Sequence, residues 1–466
     1  MPSRQDQLHS YQFMVQRVVA ALVMRETDPP QSPLRRTAGA ALASVLVAAI
    51  ALGAAAVYGA VVGGAGTEWK DNPVVIVERE SGARYVYRDN ALHLVLNYAS
   101  ALLILRQESP RTVLVSRKSL EGVRRGAPYG LPDAPDSLPG AGRLSTEPWS
   151  VCSMPPETSA SSTVRSALLV GADLADNGSP LGDRGVLARH PDGTLHLIWH
   201  NRRFQIRDRN LVLPALTWTS QPPVPVSPAL LNALPAGADL APLRLPGQGG
   251  PSQRVPGARI GQVYLVESQS GGQQYVVARR DGVAGLTRLQ ASLLLVETGQ
   301  NTPARMPLSQ FAGIPKLSDL IPAPDMAPPE TAPTLASPDP KKGICGQVAD
   351  DSGIREVRVD AEVPDVGTAV RTRSRSEEGA PLADYVLVPP GRGAVVESAA
   401  APGATGGTVS VVTDLGRAYA VSGPDALKWL GYGQVTPKRL PASVVALVPA
   451  GRTLDPDAAV APLTQD

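Results

Sequence analysis

Between Arg36 and Glu68 the chain carries no Asp, Glu, Lys or Arg. The stretch from Thr37 to Thr67 reads TAGAALASVLVAAIALGAAAVYGAVVGGAGT, and its apolar part runs from about Ala38 to Val62. A helix rises about 1.5 Å per residue, so roughly 20 apolar residues cross a bilayer core of about 30 Å. This run is long enough to cross with some tilt. A cleaved signal peptide is a competing reading, but its apolar region is usually about 7–15 residues and close to the start. Here the run is longer and lies behind residues 1–36. A buried core helix of this length is normally amphipathic, and this one is apolar all round. Residues 37–67 are therefore read as a permanent span. Gly39, Ser44, Gly53 and Gly59 either let neighbouring helices approach closely or reflect codon bias.

Arg4, Arg17, Arg25, Arg35 and Arg36 precede the span against Asp6, Glu26 and Asp28, whereas Glu68, Lys70 and Asp71 follow it. Positive flanks stay in the cytoplasm. The expected protein is single-pass, with its N-terminus cytoplasmic and a large exported C-terminal domain. A mass of that size normally splits into more than one unit. The net charge of +2 argues neither for nucleic acid nor for an acidic polymer, and no basic run interleaves with aromatics as single-strand readers require. The clusters at 202–207 and 371–375 read as solvated faces, with binding patches as the alternative. With 46 Pro and 44 Gly, turns and connectors are many.

Self-similarity along the chain gives a four-fold motif, Gly-x-x-(Tyr/His), followed by a strand-like apolar alternation. Its copies begin at Gly82, Gly193, Gly272 and Gly416 and reach Tyr85, His196, Tyr275 and Tyr419. In each, Gly closes a turn and a short β-branched run follows. The second and fourth copies run on to a helix with Pro at its first turn (Pro228, Pro441), stopped by Pro-Ala-Gly at 235–237 and 449–451. The first and third end instead on Leu120-Glu-Gly122-Val123 and Phe311-Ala-Gly313-Ile314. The copies alternate A, B, A, B, as in a duplicated half.

That duplication bears on the two cysteines. Cys152 follows Gly82 by 70 residues and Cys345 follows Gly272 by 73. They hold matching positions in the two halves, and such positions meet if they lie near the pseudo-two-fold axis. An exported compartment permits disulfides. The spacing predicts a Cys152–Cys345 disulfide; the alternative is two free thiols.

The expected fold class is α+β: one N-terminal transmembrane helix, then an exported domain of four small α/β repeat modules around a central β-sheet core. Residues 1–36 form a cytoplasmic amphipathic helix and basic flank, with Leu8, Tyr11, Val15, Val18, Val19 and Leu22 toward one side. The modules are expected at 68–125, 191–245, 255–318 and 414–458. Core parts fall at 126–190 and 343–413, around strand-like runs such as Ser166–Val170 and Gly393–Val396. A Pro-rich link at 319–342 reads as a surface loop or flexible connector, an earlier one at 127–139 as an ordered turn, and 459–466 as a tail.

Candidate chemistry is thin. A phosphate-cradling loop needs Gly-x-x-x-x-Gly-Lys-(Ser/Thr), and the chain has no Gly-Lys dipeptide. There is no Gly-x-Ser-x-Gly nucleophile elbow. His196 and His200 invite a metal reading, but no Cys or carboxylate lies nearby at ligand spacing, and Glu377-Glu378 sits in polar loop sequence. No catalytic, cofactor-binding or metal-ligating residue is assigned.

The most specific signal is N-terminal: Arg4-Gln5, Gln7, Tyr11-Gln-Phe13, Arg17, then Pro33-Leu34-Arg35-Arg36 directly before the span. With Tyr98-Ala-Ser100, Ala134–Pro139, Trp149-Ser-Val-Cys152 and Leu430-Gly431-Tyr432, it resembles the EccB family of the actinobacterial type VII (ESX) secretion system, in order along nearly the whole chain. Gln16 departs from the family's pattern, where a second Arg beside Arg17 is expected. The resemblance implies a structural subunit of an inner-membrane complex with EccC, EccD and EccE, and with the MycP protease as a further partner. It implies a repeat-built periplasmic domain, similar in its modules to cell-wall-binding repeats of a phage lysin, with self-association and contact with the cell envelope. It places partner binding on Arg4, Gln7, Tyr11, Phe13, Arg17, Arg35 and Arg36. The rival readings are an anchored cell-wall-binding protein and, since some members are described so, an ATPase.

Overall fold

The structure, a computed structural model, describes residues 3–24, 33–62, 67–156, 163–269, 271–318, 320 and 326–461. The chain forms two compact units, residues 1–92 with 111–125 and residues 93–110 with 126–466.

The first unit begins with two long helices, Arg4–Met24 and Pro33–Val62. Pro33 opens the second, at the position where its missing N–H has no intrahelical partner to lose. Over Gly39–Val57 the mean hydropathy is 2.4, and none of that window is buried within the chain. Leu42, Val47 and Leu52 stand open on three different sides of the helix, as side chains do in lipid rather than water. Ser44 Oγ turns back to donate to the Ala40 carbonyl at 2.9 Å, so its hydroxyl is satisfied inside the helix. Space around Gly39 and Gly53 is empty, so nothing among the described residues uses their small size.

Trp69, Val74, Ile76, Leu92, Val115 and Leu120 then pack as a small core against the first of four similar sheets. Its strands Val75–Glu78, Arg84–Arg88, Ala91–Leu94 and Thr112–Val115 lie in the order third, second, first, fourth. The first three form an antiparallel meander. The fourth lies parallel to the first, a pairing that requires a crossover.

This topology recurs in the sheets that start at Val186, Val263 and Gly393. Helices Arg209–Ala215 and Arg288–Glu297 make two of the crossovers. Each has an N-cap written in its sequence. Asp208 accepts from the N–H of Asn210 and Leu211, and Thr287 with Gln290 forms a reciprocal capping box. The run Gly393–Ala399 is the first strand of the fourth sheet, not part of the shared central sheet as expected from sequence.

The Gly-x-x-(Tyr/His) motif does not follow the register of these sheets. In each, one first-strand residue faces both the second strand and the fourth-strand residue three before the next helix cap. The sets are Ile76 with Tyr85 and Val113, Ala188 with His196 and Val224, Tyr264 with Val276 and Ala304, and Val396 with Ser410 and Lys438. Tyr85 and His196 therefore match. Tyr275 is one residue off, which turns it to the other face, and Tyr419 lies on the next strand.

What repeats in space is a ring on the third strand packed on glycine. A Cβ on Gly126 would stand 2.2 Å from the His93 ring, one on Gly237 2.2 Å from Phe204, and one on Gly451 2.3 Å from Tyr419. In the third module the sizes are exchanged. Backbone bonds align Val283 with Pro315 and Leu317 as they align Arg203 with Pro235 and Gly237, so Ala284 stands where the ring would be and Leu317 where the glycine would be.

At the centre of the second unit is a seven-stranded sheet in the order Val370–Arg371, Tyr385–Leu387, Arg165–Val170, Trp149–Met154, Gly343–Asp350, Gly353–Ala361, Ser179–Pro180. Both faces are covered, so every residue of Trp149–Met154 is buried and the strand reads as a continuous run instead of an alternation. Trp149, Val151, Leu168 and Ile344 face one core; Cys152, Met154, Leu169 and Cys345 face the other. The short helices Pro228–Ala233 and Ala442–Val445, from the two B-type modules, contact each other. Helix Tyr98–Leu105 packs on the fourth module's Lys428–Tyr432 segment, as helix Arg209–Ala215 packs on Arg288–Glu297. These pairings have the pseudo-two-fold pattern of a duplicated half.

The second Pro-rich segment is more ordered than expected of a flexible link. Residues 319 and 321–325 lie outside the described residues, but from Met326 onward the chain is held. Gly185 N–H donates to the Thr334 carbonyl at 2.9 Å, and Ala336 N–H to the Gly185 carbonyl at 2.7 Å. Leu335 and Ala336 enter two separate cores. Proline removed N–H donors at its own positions, yet the residues between the prolines pair and bury.

Candidate assembly surfaces

Helix Arg4–Met24 starts from a reciprocal cap. Ser3 N–H and Oγ donate to the Asp6 carboxylate at 3.0 and 2.8 Å, and Asp6 N–H donates back to Ser3 Oγ at 3.3 Å. The Ser3 hydroxyl, then its N–H, hold the Asp6 carboxyl below its ordinary value. Along one side, at spacings of three and four, lie Arg4, Leu8, Tyr11, Val15, Val18 and Leu22, a stripe of the width that faces a partner. Tyr11 is 65% and Leu22 78% exposed; within this chain the stripe is largely uncovered, while Val19 beside it is half-buried.

Gln7 borders that stripe. Phe13 and Arg17, one turn apart, lie on the opposite side, with the guanidinium 5.8 Å from the ring centroid and within cation–π range. Phe13 and Met14 are also exposed, so the helix has a second apolar surface that the one-sided sequence reading missed. Arg35 and Arg36 lie in the first turn of helix Pro33–Val62. The helical repeat thus divides the N-terminal motif residues between two faces.

In the second unit, the sequence blocks that resemble the secretion family converge. Asn97 caps helix Tyr98–Leu105: its Oδ1 accepts from Ser100 N–H at 2.9 Å and Oγ at 2.6 Å, while Nδ2 donates to the Leu131 carbonyl at 2.8 Å. Leu131 N–H donates to Ser100 Oγ at 2.8 Å. Tyr98 N–H reaches Asp136 Oδ1 at 3.0 Å. His93 Nδ1 lies 2.8 Å from the Ala127 carbonyl, which fixes it as the protonated nitrogen, and its ring stacks on Tyr129 at 4.2 Å. Tyr432, buried, donates its hydroxyl to the Pro139 carbonyl at 2.7 Å, and burial pushes its phenol pKa up. The segment 127–139 is thereby tied at both ends and in its middle. Asn97 was the residue that sequence reading passed over, although an Asn directly before an apolar run is a cap signal.

The same helix is tied to the fourth module by charge. Arg106 pairs with the Asp457 carboxylate and lies 5.7 Å from the Trp429 ring centroid, and Glu108 meets Lys428 at 3.5 Å.

Cys152 and Cys345 are bonded, fully buried, and directly opposite each other on the two central strands, with Cα atoms 4.0 Å apart. The disulfide closes a separation of 193 residues and crosses the junction between the two halves. His196 and His200 do not form a pair. His196 is buried on strand Leu195–Trp199, and burial, then the charge of Arg203, lowers its pKa. His200 is in the following turn, stacked on Trp199 and 2.9 Å from Asp183. Among the described residues no cluster of His, Cys, Asp and Glu could hold a metal ion.

These features coincide with those of known proteins. The family model described as "Type VII secretion system ESX-1, transport TM domain B" matches residues 1–464. The "ESX-2 secretion system ATPase EccB2" of Mycobacterium tuberculosis (strain ATCC 25618 / H37Rv) is 30% identical over 297 residues, 63% of this chain and 59% of that protein. The "ESX-1 secretion system ATPase EccB1" of Mycolicibacterium smegmatis (strain MKD8) is 30% identical over 333 residues, 68% of this chain and 67% of that one. In the first of these matches the chain spans about three fifths of the relative's length. A chain in the structure of an intact ESX-5 inner membrane complex is similar over 100% of this chain and 96% of its own, at 27% identity and a TM-score of 0.65. The EccB3 dimer from the ESX-3 core complex, at 23% identity and a TM-score of 0.62, shares the fold over 83% of this chain. With the family model matched from residue 1 to residue 464, the chain belongs to the EccB family of type VII secretion membrane components.

Proposed function

We propose that the protein is a structural subunit of an ESX secretion complex in the inner membrane, linking the membrane layer to a periplasmic layer. The observation that carries this reading is the end-to-end likeness to a chain of the ESX-5 inner membrane complex. The uncovered apolar helix at Gly39–Val57 supports membrane insertion. The excess of arginine before it, against Glu68, Lys70 and Asp71 after it, supports a cytoplasmic N-terminus.

In this reading the helix Arg4–Met24 docks onto other complex subunits, EccC, EccD or EccE, through the Leu8, Tyr11, Val15, Val18 and Leu22 stripe. Arg4, Gln7, Phe13, Arg17, Arg35 and Arg36 set its orientation at the membrane surface. The outer domain associates with its own copies and meets MycP and the cell envelope.

Replacing residues 1–36 with an unrelated basic tail, while keeping the span and outer domain, tests the proposal. The chain is expected to reach the membrane but to lose its co-purifying subunits on native gels. An unchanged complex would overturn the docking role. Retention of wall fragments by the purified chain, with no copurifying subunits in the parent strain, would favour the anchored wall-binding alternative. ATP turnover abolished by one point substitution would favour an enzyme.

A further inference from the structure

We propose that a groove on the outer domain, between the edge strand Val370–Arg371 and the fourth module, binds an acidic polypeptide segment in extended conformation.

The first observation is a free sheet edge. Val370–Arg371 is the outermost strand of the central sheet, paired on its inner side through Val370 with Val386 and Arg371 with Tyr385. The same register continues beyond the strand. Thr372 N–H donates to the Asp384 carbonyl at 2.9 Å, Leu382 N–H to the Ser374 carbonyl at 3.0 Å, and Arg375 bridges Pro381. In an antiparallel ladder the bonded residues alternate. With Thr372 and Ser374 bonded inward, the N–H and C=O groups of Arg371 and Arg373 point outward. An edge of this kind accepts an added strand.

The second observation is charge. The groove has a volume of about 620 Å³, within the range of ligand sites, and Arg371, Arg373, Arg375 and Arg417 line it. Arg375 donates to the Gly379 carbonyl at 3.0 Å. Arg371, Arg373 and Arg417 have no carboxylate partner among the described residues. Gly416, at φ +65, forms part of the wall; a Cβ there would stand 2.9 Å from Val370, so glycine sets how closely the fourth module approaches the edge.

The spacing favours a strand over a small anion. Arg371 and Arg373 stand two residues apart, about 6.8 Å on an extended chain, before Ser374 turns the backbone at φ +62 and carries Arg375 out of that repeat. That repeat matches acidic side chains at alternate positions of a partner strand, whose own backbone would meet the outward groups of Arg371 and Arg373. Glu377 and Glu378 line the groove near the hairpin tip and would take a basic residue at one end of the segment, which sets its direction. The site lies in the folded outer domain, so its failure would leave the assembly role of the N-terminal helix standing.

The test uses the detergent-solubilised full chain and a fluorescein-labelled peptide of alternating Glu and Val ending in Lys, followed by anisotropy. Binding is expected to weaken by about tenfold or more in the double variant Arg371→Glu/Arg373→Glu, and to weaken as well in Arg417→Glu on the opposite wall. The double variant should in turn gain affinity for a peptide of alternating Lys and Val. N-methylation of alternate peptide positions, which removes the N–H groups of one edge, should weaken binding to the native chain. Three results would overturn the proposal: equal binding by both variants, no effect of N-methylation, or displacement by tripolyphosphate at the concentration at which the peptide displaces itself.

Discussion

At the scale of single residues, the recurring element in three of the four sheet modules is a ring seated on a glycine. The glycines at 126, 237 and 451 have ordinary backbone angles, so their requirement is steric and not conformational. Gly237→Ala would place a methyl 2.2 Å from the Phe204 ring, and Phe204 is fully buried. Overpacking of this kind costs about 1–3 kcal/mol. Gly313, in a short helix with nothing within 4 Å of its would-be Cβ, is the contrast: its alanine variant should be neutral or more stable by a few tenths of a kcal/mol. Thermal or chaotrope unfolding of the two variants checks the pair, and equal effects would remove the ring-on-glycine account. The Pro-Ala-Gly signal at 235–237 and 449–451 was legible in the sequence as a helix stop. Its purpose was not, because Phe204 and Tyr419 lie some thirty residues earlier and spacing alone does not show that they touch.

At the scale of elements, the alternation of two module types and the junction between halves were both readable, for a shared reason. Duplication leaves matched distances, and the distances from Gly82 to Cys152 and from Gly272 to Cys345 differ little. The Gly-x-x-(Tyr/His) motif marks the four copies without marking their register. Tyr275 and Tyr419 fall out of register with Tyr85 and His196, since hairpin lengths differ and a period-two strand tolerates no odd shift. Of the two readings of the Pro-rich link, the described part fits a held surface loop: proline density signals a connector on average, whereas Leu335 and Ala336 between the prolines enter cores. The disulfide itself carries a prediction. It closes 193 residues across the central strands, and in the chain-entropy model such a closure contributes about 5 kcal/mol. Cys152→Ala/Cys345→Ala should lower the unfolding free energy by several kcal/mol in denaturant titrations. A loss below about 1 kcal/mol would mean that strand pairing and the two flanking cores hold the halves without the staple.

At the scale of the whole molecule, the proposed division of the chain at the membrane has a sidedness, and the disulfide bears on it. Disulfides persist in oxidising compartments, and both cysteines of the chain are in the bond. The arginine excess before the span points the same way. Because no free thiol is present, single cysteines can be introduced as reporters without background. Gln5→Cys lies at the start of the N-terminal helix and Arg373→Cys on the exposed groove of the outer domain. In right-side-out membrane vesicles, a membrane-impermeant maleimide should label the cysteine at 373 and spare the one at 5 until detergent is added; inverted vesicles should reverse the pattern. Labelling of both positions from one side would mean that the Gly39–Val57 helix does not cross. The opposite sidedness would place the disulfide-bonded domain in a reducing compartment, and would overturn the proposed link from a cytoplasmic docking helix to a periplasmic layer.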